Sequence, residues 1–462
     1  MSNTYDNLWI LFEERPKSEV IKKILQIYSD DNNCTIDAKN INIKPIFKKK
    51  IFQFCYEVEN CKISNINKIY LLLVSGYTSF VDFLLFKSKT KPLENNILKD
   101  CLYGIEETKT DSSESRNTAA GQRGTKFIFL DYFKLLSSNP TLKKLMVYNN
   151  LETQNEVEAE SVKFIKKCLI TNGIKFYGDY SRNYKKFETI EELISSKNNL
   201  RQPPKGNTPV RLTIKSNVIE ISGILSKPST KGNIGHDPNQ GQLITISDTL
   251  RKLGWQKKVL ITKHKVKQNY INKARGNKFR FAMNILNMEL EKIDAPKIDM
   301  PKNYWYYENS GEKIASILLH LICNYLNFKS IYENHAGSER GYFYTPNGTE
   351  IVVNKKYNGK NVNLPDYVFS DEKTKTIFVC EGEMFSNYKK GMEQLKGFDL
   401  FIDLYVKKHF PDYAISKSII LSNANSNKCL DKTIFQLNSN GKILYSKNLP
   451  EKIIEFLNGN YY

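Results

Sequence analysis

The sequence predicts an α/β protein with mixed sheets, arranged as two similarly ordered halves joined by a basic middle segment. Three observations carry this. A chain of 462 residues exceeds what one ordinary core organises, so two or three domains are expected. The hydrophobic pattern runs helix, strands, helix, strand over 1 to about 150, within a first domain of 1–197, and repeats that order over 302–462, within a last domain of 301–462. Two turn-rich stretches, 198–207 with Pro203, Pro204 and Gly206, and 294–301 ending in Pro301, read as linkers around a middle segment of 198–300.

The first half opens with a helix over 18–28, where Val20, Ile21, Ile24, Leu25 and Tyr28 recur at helical spacing. Strands follow at 35–44, 51–58, 68–86 and 101–107. Next come a helix over 115–136, a strand at 145–148 and amphipathic stretches at 156–167 and 188–195. The middle segment carries a strand pair at 210–215 and 218–225, a glycine-rich loop over 231–241, a helix over 243–253 and a strand at 258–262. The last part starts again with a helix over 312–326. Strands at 341–344, 350–354, 366–369 and 376–381 lead to a helix over 388–409 and a strand at 418–421.

Charge narrows the function classes. Lys and Arg total 69 against 49 Asp and Glu, a net +20, which favours a polyanionic partner because each cation laid on a phosphate releases a counterion. Coding bias toward Lys, Asn, Ile and Tyr inflates Lys but rarely leaves so large an excess. The eight cysteines form no CxxC, and most lie in apolar runs such as Phe54-Cys55-Tyr56, so they read as reduced buried thiols. With no signal peptide and no apolar span, a cytoplasmic protein is expected, with no membrane partner.

Two constellations carry chemistry. Asp82 is a carboxylate in an apolar run, costly unless paired or bound to a metal. Residues 101–109 read Cys-Leu-Tyr-Gly-Ile-Glu-Glu-Thr-Lys, in which strand alternation puts Glu107 and Lys109 on one face. An Asp on one strand, with an acid and a Lys two residues apart on its neighbour, can hold a magnesium ion and orient a water. In the last part, Pro365-Asp366 opens one strand, and Glu381-Gly-Glu383 closes the next. Glu333 and Glu350 are further candidate carboxylates. In the middle segment, Asp237, Asn239 and Gln240 have side chains able to pair with base edges, while Lys263 and Lys265 supply charge for phosphates. His236 and His264 lack neighbouring ligands and read as ordinary hydrogen-bonding residues.

Asp82 with Glu107-Thr108-Lys109 resembles the PD-(D/E)xK nuclease superfamily. The stretch from Ile105 through Thr118, with Gln122, Arg123 and Lys126, is similar to a block of type II restriction endonucleases. The resemblance departs from the pattern at Val81, where Pro is usual, and at Glu383, where Lys is usual. It implies two nuclease-like cores. Asp82 and Glu107 would hold Mg2+, Lys109 would assist the attacking water, and Gln122 would support the site. Asp366, Glu381 and Glu383 would form a second site. The implied function is site-specific hydrolysis of double-stranded DNA by a monomer or homodimer. The alternatives are a DNA-binding protein with inactive nuclease-like domains, or a repair or defence nuclease without a fixed site.

Overall fold

The computed structural model describes residues 5–76, 80–96, 98–108, 114–148, 160–176, 184–200, 210–222, 238–264, 266–271, 277–335 and 340–459. The protein is mixed α/β. Its contacts divide it into two units, one of 75–306 and one combining 1–74 with 307–462.

In chain order, the first 76 residues give β1 (Asn7–Phe12), α1 (Ser18–Asp31), β2 (Ile36–Lys48), β3 (Ile51–Ile63) and β4 (Ile69–Gly76). Next come β5 (Phe83–Ser88), β6 (Cys101–Thr108), α2 (Glu114–Leu136), β7 (Lys143–Tyr148), α3 (Glu160–Lys167), β8 (Gly173–Phe176) and α4 (Ile190–Asn198). The middle stretch holds β9 (Arg211–Lys215), β10 (Val218–Ser222), α5 (Pro238–Lys252), β11 (Lys258–Thr262), α6 (Gln268–Ile271), α7 (Asn277–Leu286), β12 (Met288–Leu290) and β13 (Trp305–Tyr307). After these lie α8 (Ile314–Tyr325), β14 (Lys329–Glu333), β15 (Arg340–Tyr344), β16 (Glu350–Asn354), β17 (Lys356–Tyr357), β18 (Lys360–Asn361), β19 (Tyr367–Asp371) and β20 (Thr376–Met384). The chain closes with α9 (Tyr388–Lys396), α10 (Asp399–Phe401), α11 (Lys407–His409), β21 (Ala414–Ser422), β22 (Thr433–Leu437), β23 (Ile443–Tyr445) and α12 (Glu451–Asn458).

In the discontinuous unit, β2, β3 and β4 pair antiparallel in that order, and β1 joins β4 parallel. Lys49 and Lys50 both take positive φ, as the tight β2–β3 hairpin requires. The second sheet runs β16-β15-β14-β19-β20-β21-β22-β23. Helix α8 is apolar almost all round, with ten of its residues buried from Ile314 to Cys323, as a core helix must be. It packs on β2 as well as on β14, β21 and β22. The amide of Phe52 also donates to the carbonyl of Gly441 at 2.9 Å. These long-range contacts explain why the grouping differs from the linear reading of 1–197, 198–300 and 301–462: residues 1–74 belong with the C-terminal segment.

The unit of 75–306 contains two four-stranded arrangements. In β5-β6-β7-β8 the first pair is antiparallel and the others parallel, with α2 between β6 and β7. In β9-β10-β11-β12 the directions are the same, with α5 between β10 and β11. The C-terminal run β19-β20-β21-β22 repeats this plan a third time, with α9 to α11 as its crossover. The sequence pattern gives the strand pair, helix and strand of the middle stretch, and the strand pairing shows that they repeat the plan of the other two. Helices α2 and α5 pack closely because Gly121 leaves room: a Cβ there would lie 3.1 Å from the backbone of Gly241 and Gln242. Their seam is also bound by charge. Asp131 accepts from Lys144 and, at 2.8 Å, from Lys252, which in turn bonds Asp248 at 2.8 Å.

Some predicted elements shift. The run over 68–86 is two strands, β4 and β5, so Asp82 sits just before a strand rather than inside one. The helix expected over 388–409 is broken, because α9 ends at Lys396 with Gly397 as its C-cap and a π-helical turn spans Ile402–Val406. The middle helix starts at Pro238, so the end of the expected loop is helical. Among the described residues, no helix is long and apolar enough to cross a membrane. All eight cysteines are free, and five are buried.

Candidate active site

Register decides which acids meet. In the β5–β6 hairpin Phe83 pairs with Ile105, so the residue before Phe83, Asp82, lies opposite Glu106 rather than Glu107. The Val81 amide is fixed by the Tyr304 hydroxyl at 3.1 Å, and the Asp82 amide donates to Glu106 Oε2 at 3.2 Å. The acid expected beside Asp82 was Glu107. The Glu107 backbone N–H donates to Asp82 Oδ2 at 2.7 Å, and the carboxylate that accepts from the Asp82 amide is that of Glu106. Glu106 is fully buried. Strand alternation sends successive side chains to opposite faces, so a one-residue change of register exchanges the two glutamates.

Two cations from α2 close over this pair. Lys126 Nζ lies 2.8 Å from Glu106 Oε2 and 3.0 Å from Asp82 Oδ1. Arg123 bonds Glu106 Oε1 at 3.0 Å and also the Glu107 carbonyl. Burial, then the nearby Asp82, push the Glu106 carboxyl upward, against Lys126 and Arg123. Burial works against the charge of Lys126, but Glu106 and Asp82 outweigh it and hold its pKa above the ordinary lysine value. Lys109 lies outside the described residues, as does the side chain of Gln122, whose backbone is in α2.

The C-terminal hairpin repeats the register. Tyr367 pairs with Cys380, which sets Asp366 opposite Glu381. The Gly382 amide donates to Asp366 Oδ2 at 2.9 Å, the same bond that the Glu107 amide makes to Asp82. A Cβ at Gly382 would fall 3.0 Å from that oxygen and 3.2 Å from Ser316, so any side chain there would need these neighbours to shift. Glu381 and Glu383 stand two residues apart on β20 and are both buried. Here the compensation is different. Lys390 on α9 bonds Glu383 Oε1, but Glu381 Oε2 and Glu383 Oε2 are buried with no hydrogen-bond partner. Burial, then Asp366 and Glu383, drive the Glu381 carboxyl upward. Burial likewise raises Asp366, with Glu312 and Glu383 adding to it and the Gly382 amide opposing.

The chain matches no family model, no curated protein and no solved structure.

The remaining expected residues divide. Gln240, expected on an exposed recognition loop, is instead buried in the first turn of α5 at 4% exposure. Asn239 is in the same turn, its side chain outside the description, and Asp237 and Lys265 lie outside the described residues. Lys263 is exposed, just after β11, with φ of 55°. Glu350 is exposed on β16, away from the hairpin acids in the sheet order. Glu333 is bound by Arg15. Sequence reasoning set Glu106 on the opposite face or at the flank of the first acid site, and it missed the helix-borne Lys390 of the second. The adjacent Glu106-Glu107 pair was the available signal for the first. Nothing local marked Lys390. The third copy has Val210 where the other two have Asp82 and Asp366, just before the first hairpin strand.

Proposed function

We propose that the protein is a magnesium-dependent endonuclease of the restriction type that hydrolyses double-stranded DNA, with its reactive centre at Asp366, Glu381 and Glu383. The observation that carries this reading is the pair of buried, unpartnered carboxylate oxygens on Glu381 and Glu383. Anionic oxygen taken out of water without a partner is expensive, and a divalent cation is the partner that removes the cost. An oxygen-only donor set suits Mg2+, which takes one or two carboxylates and completes its shell with water and phosphate. Asp366 and Glu381 would hold it, with Glu383 beside them. Bound there, Mg2+ supplies charge for the phosphate and acidifies a water.

The protein's own groups do the rest. The Gly382 amide fixes the Asp366 carboxylate, leaving Asp366 Oδ1 for the ion. Lys390 is more than half exposed and holds its ammonium at Glu383, at the rim of the centre. It can meet a phosphate oxygen or orient a water there, the task that the resemblance gives to a strand lysine. The excess of 20 positive charges favours the polyanionic substrate.

The N-terminal copy supports a different role. Asp82 and Glu106 have the same register, but Arg123 and Lys126 already neutralise them. We assign it to structure and the C-terminal copy to chemistry. A second reading, a DNA-binding protein without hydrolytic activity, draws support from that compensated copy and from Val210 in the third. Supercoiled plasmid incubated with the protein and Mg2+ separates the two. Discrete fragments support site-specific cleavage, a smear supports a nuclease without a fixed site, and intact plasmid with retained DNA binding supports the second reading.

A further inference from the structure

A second group of ligand-type side chains lies in the discontinuous unit. His320 comes from α8, Glu333 ends β14, and His335 follows two residues later. Their ligand atoms lie within 4.8 Å of one another, the only such group of three His, Cys, Asp or Glu among the described residues. His320 Nδ1 is 2.9 Å from His335 Nε2 and 3.5 Å from Glu333 Oε2. Both imidazoles are buried, and the His320 ring is stacked on Tyr367 with centroids 4.2 Å apart, which fixes its orientation. His335 Nδ1 is buried without a partner. A cavity of about 520 Å³ opens beside the group, lined by His320, Glu333, Arg15 and Lys17 among others.

We propose that His320, Glu333 and His335 bind a zinc-class transition-metal ion, separate from the all-carboxylate centre on β20. Two imidazole nitrogens and one carboxylate oxygen are a borderline-soft donor set, which suits zinc and its neighbours and is poor for magnesium or calcium. Three protein ligands leave a coordination position for water or an anion from the cavity, the pattern of an open zinc site rather than a closed one.

Arg15 and Lys17 shape this site. Glu333 Oε1 accepts from Arg15 Nη2 at 2.6 Å and lies 3.3 Å from Lys17 Nζ. Glu333 Oε2 accepts from Arg15 Nε at 2.5 Å and is the oxygen nearer His320. Ligation through Oε2 exchanges the Arg15 Nε bond for the metal, and Oε1 keeps its two cations as outer-shell support. Two cations on one carboxylate also repel a third, so the ion must draw its affinity from the nitrogens. That requirement again disfavours magnesium. When bound, the ion ties α8 to β14 next to Tyr367, the neighbour of Asp366.

The test is zinc binding to the full chain, stripped of metal and held in excess Mg2+, read by competition against a chromophoric chelator and by the visible bands of Co2+. One equivalent per chain is expected, with Co2+ bands of a four- or five-coordinate site. His320→Gln and His335→Gln should each weaken that equivalent beyond the roughly 10–100-fold that loss of an outer-shell partner costs. Asp366→Ala should leave it unchanged. Absence of stoichiometric binding by the wild type overturns the site, as does an equivalent that survives both histidine changes or disappears with Asp366→Ala. If a histidine variant fails to fold by circular dichroism, the wild-type Co2+ spectrum decides, because nitrogen ligation and oxygen-only ligation differ in band position and intensity. Failure of DNA cleavage leaves this result untouched.

Discussion

Lys126→Met separates a structural ion cluster from a catalytic one. Glu106 is fully buried and loses one of its two cations in this variant, keeping only Arg123 at 3.0 Å. Removing one partner of a buried pair leaves an uncompensated charge and typically costs about 3–5 kcal/mol. Asp82 is about a third exposed and Lys126 about a fifth, so water screens part of the loss and the lower end applies. A drop of about 3 kcal/mol in unfolding free energy is expected, roughly a hundredfold in the unfolding constant. Urea unfolding followed by fluorescence and by circular dichroism measures it. Glu106→Gln combined with Lys126→Met should recover much of the loss, because the buried charge goes with its partner. Plasmid cleavage under stabilising conditions should be unaffected. A loss below about 1 kcal/mol together with abolished cleavage refutes the assignment, since it makes Lys126 a working group rather than a strut.

Other expectations follow from the same geometry. Lys390→Met should slow cleavage by about a hundredfold or more with little change in stability, since the ammonium is exposed on its solvent side and, in the proposed function, acts at the centre. Burial lowers the Lys197 pKa to about 8, so below that pH its charge costs up to about 3 kcal/mol, and the cost fades as pH rises toward the unfolded value. Lys197→Met should therefore stabilise the protein at neutral pH, and melting curves of variant and wild type should converge near pH 10.5, the ordinary lysine value. Gly121→Val should loosen the α2–α5 seam by about 1–3 kcal/mol, read by urea unfolding, because the new side chain meets the backbone of Gly241 and Gln242.

The parts legible in the sequence are those set by local pattern. Pro365-Asp366 and Glu381-Gly-Glu383 could be paired from sequence because a short turn joins the two strands and alternation fixes the faces. The N-terminal hairpin was not so constrained. Residues 89–100 separate its strands, the ladder slips between Leu85 and Phe86, and two adjacent glutamates make either register plausible. Lys126 and Lys390 reach their acids from the helix after the hairpin, at a distance along the chain that no strand spacing encodes. The grouping of 1–74 with 307–462 depends on α8 packing against β2, a contact between residues nearly 300 positions apart that no local periodicity records. Gln240 looked like part of an exposed loop because its neighbours are Pro, Asn and Gly. Pro at the first helical position starts α5 instead and buries it.

The central claim is that Asp366 and Glu381, not Asp82 and Glu106, carry phosphodiester hydrolysis. Purified wild type, Asp366→Ala with Glu381→Ala, and Asp82→Asn with Glu106→Gln should be compared for Mg2+-dependent cutting of supercoiled plasmid, with DNA binding measured in parallel. The account predicts cleavage by the wild type and by the N-terminal variant, and none by the C-terminal variant, which still binds DNA. Cleavage that survives loss of Asp366 and Glu381 but disappears with Asp82 and Glu106 contradicts it.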